Sequence, residues 1–194
     1  AVAVLMGSGL EPAALELLPP GLINLMNREK NLNIPELPSL FCEFHGISKT
    51  TLQETADLAK ELCEDCGATG FKYGVEERDR KELWRARHEA WETIHRAHPK
   101  KETLIVDAAV PISRYPEMII YSQKLVDDYN AAGYVFGHAG DGNFHVSVLV
   151  DDTNPKEIEA LENFVERLNT RALAMGGTCT GEHGIGQGKM AFLE

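Results

Sequence analysis

Two glycine-rich segments hold the side chains of this sequence best suited to chemistry. The first, Gly137-His138-Ala139-Gly140-Asp141-Gly142-Asn143-Phe144-His145, places two histidines seven residues apart. Seven residues on a helix would bring both to one face, but three glycines and an Asp-Gly pair make a helix here unfavourable. On one unbroken strand the odd separation would send them to opposite faces. A turn at Gly140-Asp141-Gly142, with glycine supplying positive φ, lets both imidazoles converge from two hairpin strands. The second segment, Gly181-Glu182-His183-Gly184-Ile185-Gly186, offers a third ligand in Glu182. Two neutral imidazoles and one carboxylate suit Zn, Mn or Fe(II) and leave coordination positions open for a substrate. His183 is the next residue along, so its side chain points elsewhere, which suits a general base beside the metal. Histidines in loops are commonly structural. Three of them with a glutamate in two glycine-rich loops favour a metal or catalytic site.

Other chemistries fit less well. A phosphate loop ending at Gly188-Lys189 would need Gly where His183 stands and Ser or Thr where Met190 stands. No G-x-G-x-x-G opens a helix, so a dinucleotide site is unsupported. Cys63 and Cys66 form a lone C-x-x-C on a helical pattern and read as structural thiols. Arg85, Arg87 and His88 share a charged helical stretch. Such an arginine is either a solvated ion-pair partner or a fork for a substrate carboxylate, and pattern alone leaves both open.

The elements that must position these groups follow from periodicity. Ala1 to Met6 reads as a short strand, Pro12 to Leu18 as a short helix stopped by Pro19-Pro20, and residues 27–38 as loop. Leu40 to His45 reads as a strand. Thr50 and Gln53 have capping-box spacing before a helix closed by Gly67. Glu76 to His98, with Leu83, Trp84, Trp91 and Ile94 as its apolar stripe, predicts one long amphipathic helix. Thr103 to Val110 predicts a buried strand, Pro116 to Ala132 a helix, and Tyr134 to Gly137 with Phe144 to Val150 a hairpin. Asn154 and Glu157 cap a further helix that Gly176-Gly177 ends. Strands separated by single helices or tight turns predict an α+β domain, a mainly antiparallel sheet with helices packed over one face.

The bulk properties narrow the partners. The chain has 194 residues, 43% hydrophobic and 25% charged, with a formal net charge of −11. Such a field repels a phosphate backbone, so nucleic acid is a poor partner and an anionic substrate needs a local basic group. No apolar run is long enough to give a transmembrane segment. Four cysteines in this length point to a reducing compartment rather than a disulfide scaffold. An opening without Met and an end at Glu194, just after the start of an expected helix, read as truncation at both ends.

Taken together, Phe136 to His145, Gly177-Thr178-Cys179-Thr180-Gly181-Glu182-His183-Gly184-Ile185-Gly186 and Val110-Pro111-Ile112-Ser113-Arg114 resemble the C-terminal (substrate or cap) domain of FAD-linked oxidases, in the vanillyl-alcohol oxidase superfamily. The resemblance runs from about residue 36 to the end. It is strongest to the cytochrome-type D-lactate dehydrogenase group, with glycolate oxidase subunits and D-2-hydroxyglutarate dehydrogenases as relatives. It implies a ferredoxin-like cap domain over residues 1–194, with the N-terminal FAD-binding domain absent from this chain. It implies metal ligation by His138, His145 and Glu182, with Zn or Mn as the divalent metal, a general base in His183 and a carboxylate-binding Arg87. The activity implied is FAD-dependent oxidation of a small D-2-hydroxy acid of lactate type, with electrons passing to a cytochrome, quinone or flavoprotein. Trp91 and Ile105 stand where a 2-hydroxyglutarate relative carries polar groups, which argues against a second substrate carboxylate. The flavin would bind mainly to the chain's own N-terminal flavin domain, so the 194 residues alone are expected to be inactive. A flavin-independent metal hydrolase and a catalytically silent binding module are the competing readings. Bacterial cytoplasm, free or peripheral to the membrane, and mitochondrial matrix are both compatible.

Overall fold

A computed structural model describes residues 1–74, 77–129 and 132–193; within the helix at 77–88, side chains 78, 79, 82, 83 and 86 also lie outside the description. Five strands, β1 (Ala14–Leu18), β2 (Ser39–Glu43), β3 (Glu102–Ala109), β4 (Gly133–His138) and β5 (Asn143–Val150), form one sheet in the order β2-β1-β4-β5-β3. Every pairing is antiparallel. The α+β class and the antiparallel sheet are those the sequence predicts.

Alternation of side chains along each strand sorts the sheet into two faces. On one face Leu15, Val106, Ala108, Val135, Phe144 and Val146 pack in a single cluster with residues of α1 (Val2–Gly7), α3 (Lys49–Asp65), α6 (Tyr115–Asp128) and α7 (Pro155–Ala174). On the other, Leu18, Phe136 and Leu149 pack against Leu22, Ile23 and Met26 of α2 (Pro20–Lys30) and Ala90 and Ile94 of α5 (Ala90–Ala97). The sheet is thus covered by helices on both faces, a larger layer on one and a smaller layer on the other, rather than on the single face expected. Pro20–Lys30, of which residues 27–30 were expected to be loop, is a helix whose Leu22, Ile23 and Met26 cover the second face with α5. β5, buried along its whole length, runs between them.

Several elements differ from the sequence expectation. Ala14–Leu18 is a strand rather than a helix, because the open edges of β2 and β4 pair with both sides of this short apolar run. Pro19-Pro20 ends that strand and begins α2, with Pro20 in the first turn, where its missing N–H has no helical partner to lose. Val2–Gly7 is a helix rather than a strand, burying Val2 and Leu5 at helical spacing. Ser48, not Thr50, caps α3 by accepting from the Thr51 N–H. The long charged stretch is two helices, α4 (Glu77–His88) and α5, bent at Glu89. Hydrogen bonds from Glu89 N to Arg85 O and from Thr93 N to Glu89 O carry across the bend. α5 thereby buries Ile94 against α2 while Trp91 stays 45% exposed. Glu76 and the Leu83 side chain of that expected stripe lie outside the described residues.

Candidate functional site

Four ionisable residues form a row across neighbouring strands. Glu16 of β1 stands opposite His138 of β4, and Asp107 of β3 opposite His145 of β5; Phe136↔His145 links the two middle strands. All four belong to the face that carries α2 and α5, at the end of the sheet beyond that apolar layer. The hairpin that sets His138 and His145 on this face turns at residues 139–142, with Asp141 N donating to His138 O. Gly142 has φ +75°, and a Cβ there would lie 2.0 Å from Val110 O.

Two further segments close over the row. α4 brings in Arg87, whose Nε donates to Glu16 Oε2 at 2.7 Å while its guanidinium lies over the Phe136 ring. Its second terminal nitrogen is 3.5 Å from His138 Nε2. The chain after α7 crosses from Thr178, bridged to Ala109, into the glycine-rich loop. Asp107 Oδ2 accepts hydrogen bonds from Thr180 Oγ1 and from the N–H groups of Gly181, Glu182 and His183, at 2.8–2.9 Å. A Cβ at Gly181 would lie 2.3 Å from the Asn143 side chain, so the loop approaches the hairpin only because glycine stands there.

The result brings together all five residues singled out in the sequence. Glu182 Oε1 lies 3.3 Å from His138 Nε2, 3.1 Å from His145 Nε2 and 3.7 Å from His183 Nε2. The His145 and His183 rings stack at 4.9 Å between centroids, and the His138 ring meets His145 edge-on at 5.3 Å. An open cleft of about 340 Å³ is lined by Ala109, His138, Asp141, Asn143, Gly181 and Glu182. Two partners escaped the sequence reading: Glu16, taken there for part of a helix, and Asp107, taken for part of an apolar strand. The signal that could have found them is a lone acid inside an apolar run, since a buried carboxylate needs partners.

The electrostatics follow from these contacts. Burial pushes the Glu16 carboxyl up, but its hydrogen bond with His138 and the Arg87 guanidinium outweigh this and hold it below its ordinary value. The same hydrogen bond raises His138 above the usual histidine range, against its burial. Burial lowers His145 to about 4, so its ring is neutral at pH 7. Burial also pushes Asp107 up, and the three backbone N–H groups and Thr180 bring it below the ordinary range. Among the described cysteines none forms a disulfide, and burial pushes the Cys42 thiol up to about 12.

One ligand atom each from His138, His145 and Glu182 lies within 4.8 Å of the others, a set of a size and chemistry that a divalent cation fits. Ligand atoms about 2.0–2.1 Å from a tetrahedral Zn lie roughly 3.3 Å apart. The two histidine–glutamate separations are close to that. His138 Nδ1 lies 2.5 Å from Glu16 Oε1. If neutral His138 donates its Nδ1–H to that carboxylate, its bare Nε2 accepts at 3.5 Å from the Arg87 guanidinium but also faces Glu182 Oε1 at 3.3 Å, acceptor against acceptor. A positive charge between them, either a cation or a second proton on His138, removes the conflict.

The family model described as FAD linked oxidases, C-terminal domain, matches residues 1–194. The chain is 41% identical over 189 residues to "Probable D-lactate dehydrogenase, mitochondrial" of Danio rerio, covering 97% of this chain and 38% of that protein. It is 35% identical over 194 residues to "D-lactate dehydrogenase [cytochrome], mitochondrial" of Arabidopsis thaliana, covering 100% and 34%. To "Glycolate oxidase subunit GlcD" of Bacillus subtilis it is 28% identical, covering 100% and 41%. The chain therefore spans between a third and two fifths of the length of these relatives. Among solved structures, the 4-ethylphenol oxidase from Gulosibacter chungangensis superimposes with a TM-score of 0.60 at 13% identity, over 91% of this chain and 41% of that one, a likeness of fold. By the match along its full length and the motifs at residues 137–145 and 177–186, the chain belongs to the C-terminal domain family of FAD-linked oxidases.

Proposed function

We propose that this chain is the substrate- and metal-binding domain of a flavin-dependent dehydrogenase that oxidises a small D-2-hydroxy acid, lactate-like, to the 2-oxo acid. The observation that carries the reading is the pairing of two recognition elements at hydrogen-bonding range. A cluster fit for a divalent cation, His138, His145 and Glu182, lies beside the Arg87 guanidinium. A 2-hydroxy acid presents a carboxylate and a hydroxyl on adjacent carbons, which such a pair can hold together. The names of the relatives and the family description support the rest: D-lactate and glycolate as substrate class, and FAD as the linked cofactor.

His138, His145 and Glu182 would hold Zn or Mn, whose chemistry there is to polarise the substrate hydroxyl as a Lewis acid. Arg87 binds and orients the carboxylate, supplying locally the positive charge that a chain of net charge −11 lacks overall. His183, with its ring stacked on His145 and its side chain 44% exposed, takes the hydroxyl proton as general base. The flavin sits on an N-terminal FAD-binding domain outside these 194 residues, and a cytochrome, quinone or flavoprotein accepts the electrons. The relatives whose names place them in mitochondria favour a mitochondrial location, the matrix in this reading, for a eukaryotic source; for a bacterial source the reading is the cytoplasm. Among the described residues no helix is long and apolar enough to cross a membrane.

Elemental analysis of the intact protein and of its His138→Ala/His145→Ala variant tests the metal assignment. The wild type should carry about one Zn or Mn per chain and the variant almost none. Equal metal content in the two would remove the histidines from the ligand set. D-lactate oxidation coupled to flavin reduction separates a dehydrogenase from a flavin-independent hydrolase.

A further inference from the structure

Asp107 is fully buried, and its two oxygens face different parts of the site. Oδ2 collects the Thr180 hydroxyl and three consecutive N–H groups of the loop that carries Glu182 and His183. Oδ1 faces His145 Nδ1 at 3.5 Å, and both atoms are buried without a hydrogen-bond partner among the described residues. Leaving a buried ring nitrogen and a buried carboxylate oxygen unpaired is costly, and here each is the other's nearest answer. The neighbouring strands repeat the arrangement in closed form. His138 Nδ1 is held by Glu16 Oε1, again from the residue directly opposite in the sheet.

We propose that Asp107 is a positioning residue that fixes the tautomer of His145, accepting the Nδ1–H on Oδ1 so that Nε2 stays bare towards Glu182, while Oδ2 holds the Glu182 loop in the same frame. One carboxylate thereby ties a ligand from the sheet to a ligand from the loop. Carboxylates behind metal-binding histidines orient the ring and raise its basicity. The inference rests on the metal reading of His138, His145 and Glu182.

The test is the Zn2+ affinity of the intact protein, measured by competition with a chromophoric chelator, for wild type, Asp107→Asn and Thr180→Val. An asparagine keeps one acceptor for the loop but turns an amide N–H to His145 Nδ1, which forces the ring proton onto Nε2. Thr180→Val removes two loop hydrogen bonds, the one its hydroxyl donates to Asp107 Oδ2 and the one it accepts from Gly184 N, and leaves the His145 contact intact. Asp107→Asn should weaken Zn2+ binding roughly tenfold to a hundredfold, and Thr180→Val far less. An unchanged affinity in Asp107→Asn, or equal losses in the two variants, overturns the proposal, because the carboxylate would then act on the loop alone or not at all. A wild type that binds no Zn2+ overturns the metal reading itself, a pattern distinct from either. Should Asp107→Asn fail to fold, the Zn2+-loaded wild type decides. His145 Hδ1 should give a downfield, exchange-protected nitrogen-15-coupled resonance, and a freely exchanging one refutes the contact.

Discussion

Arg87 divides its guanidinium between two neighbours, giving Nε to Glu16 and leaving a terminal nitrogen beside His138. The ion pair is largely shielded, with 15% and 7% of the two side chains exposed, so it holds the fork in place rather than dissolving into solvent. Arg87→Ala in the intact enzyme should raise KM for D-lactate about tenfold to a hundredfold, the worth of a lost charge-assisted hydrogen bond. Steady-state kinetics check this, and an unaltered KM would remove Arg87 from substrate binding. His138, His145, Glu182 and His183 were readable from residue type and local spacing, because each sits in a short glycine-rich motif. Glu16 and Asp107 were not, since their meaning lies in which residue faces them across the sheet. Glu16 and His138 are partners through strand pairing alone, 122 residues apart.

At the level of elements, the β4–β5 hairpin is the part of the site that its sequence determines most completely. The turn needs positive φ at Gly142, and Val110 N closes it by donating to Gly142 O. Gly142→Ala adds a Cβ against the Val110 carbonyl in a conformation alanine resists. It should destabilise the fold by about 1–3 kcal/mol, read as a lowered denaturant midpoint. Full stability in that variant would show that the turn tolerates another geometry. Short apolar runs were the least legible elements. Ala1 to Met6 and Pro12 to Leu18 exchange their expected types, since runs of five or six apolar residues fit either period. Their tertiary partners decide: α3 for the first, two open strand edges for the second. The bend at Glu89 was equally hidden, for no Gly or Pro marks it. It lets α4 aim Arg87 at the sheet while α5 seats Ile94 on α2.

Over the whole molecule, one sheet carries two apolar layers and sets its polar row at the margin of the smaller one. Ile94 is fully buried in that layer, and Ile94→Ala should cost about 2–4 kcal/mol. Chemical unfolding should still show one transition, because both layers pack on opposite faces of the same sheet; two transitions would mean that they melt as separate units. The net charge of −11 gives a last consequence to the contact between Asp107 and the loop. Three successive N–H groups converging on one point make a concave anion receptor of the kind that cradles phosphate. Here the protein fills it with its own side chain, so a segment that resembles a phosphate loop in writing has no vacancy for a phosphate in space. Asp107→Gly would empty that receptor, and formate or acetate added to the variant should seat there and restore stability in proportion to concentration. Chloride at equal ionic strength, lacking the carboxylate fork, should restore much less.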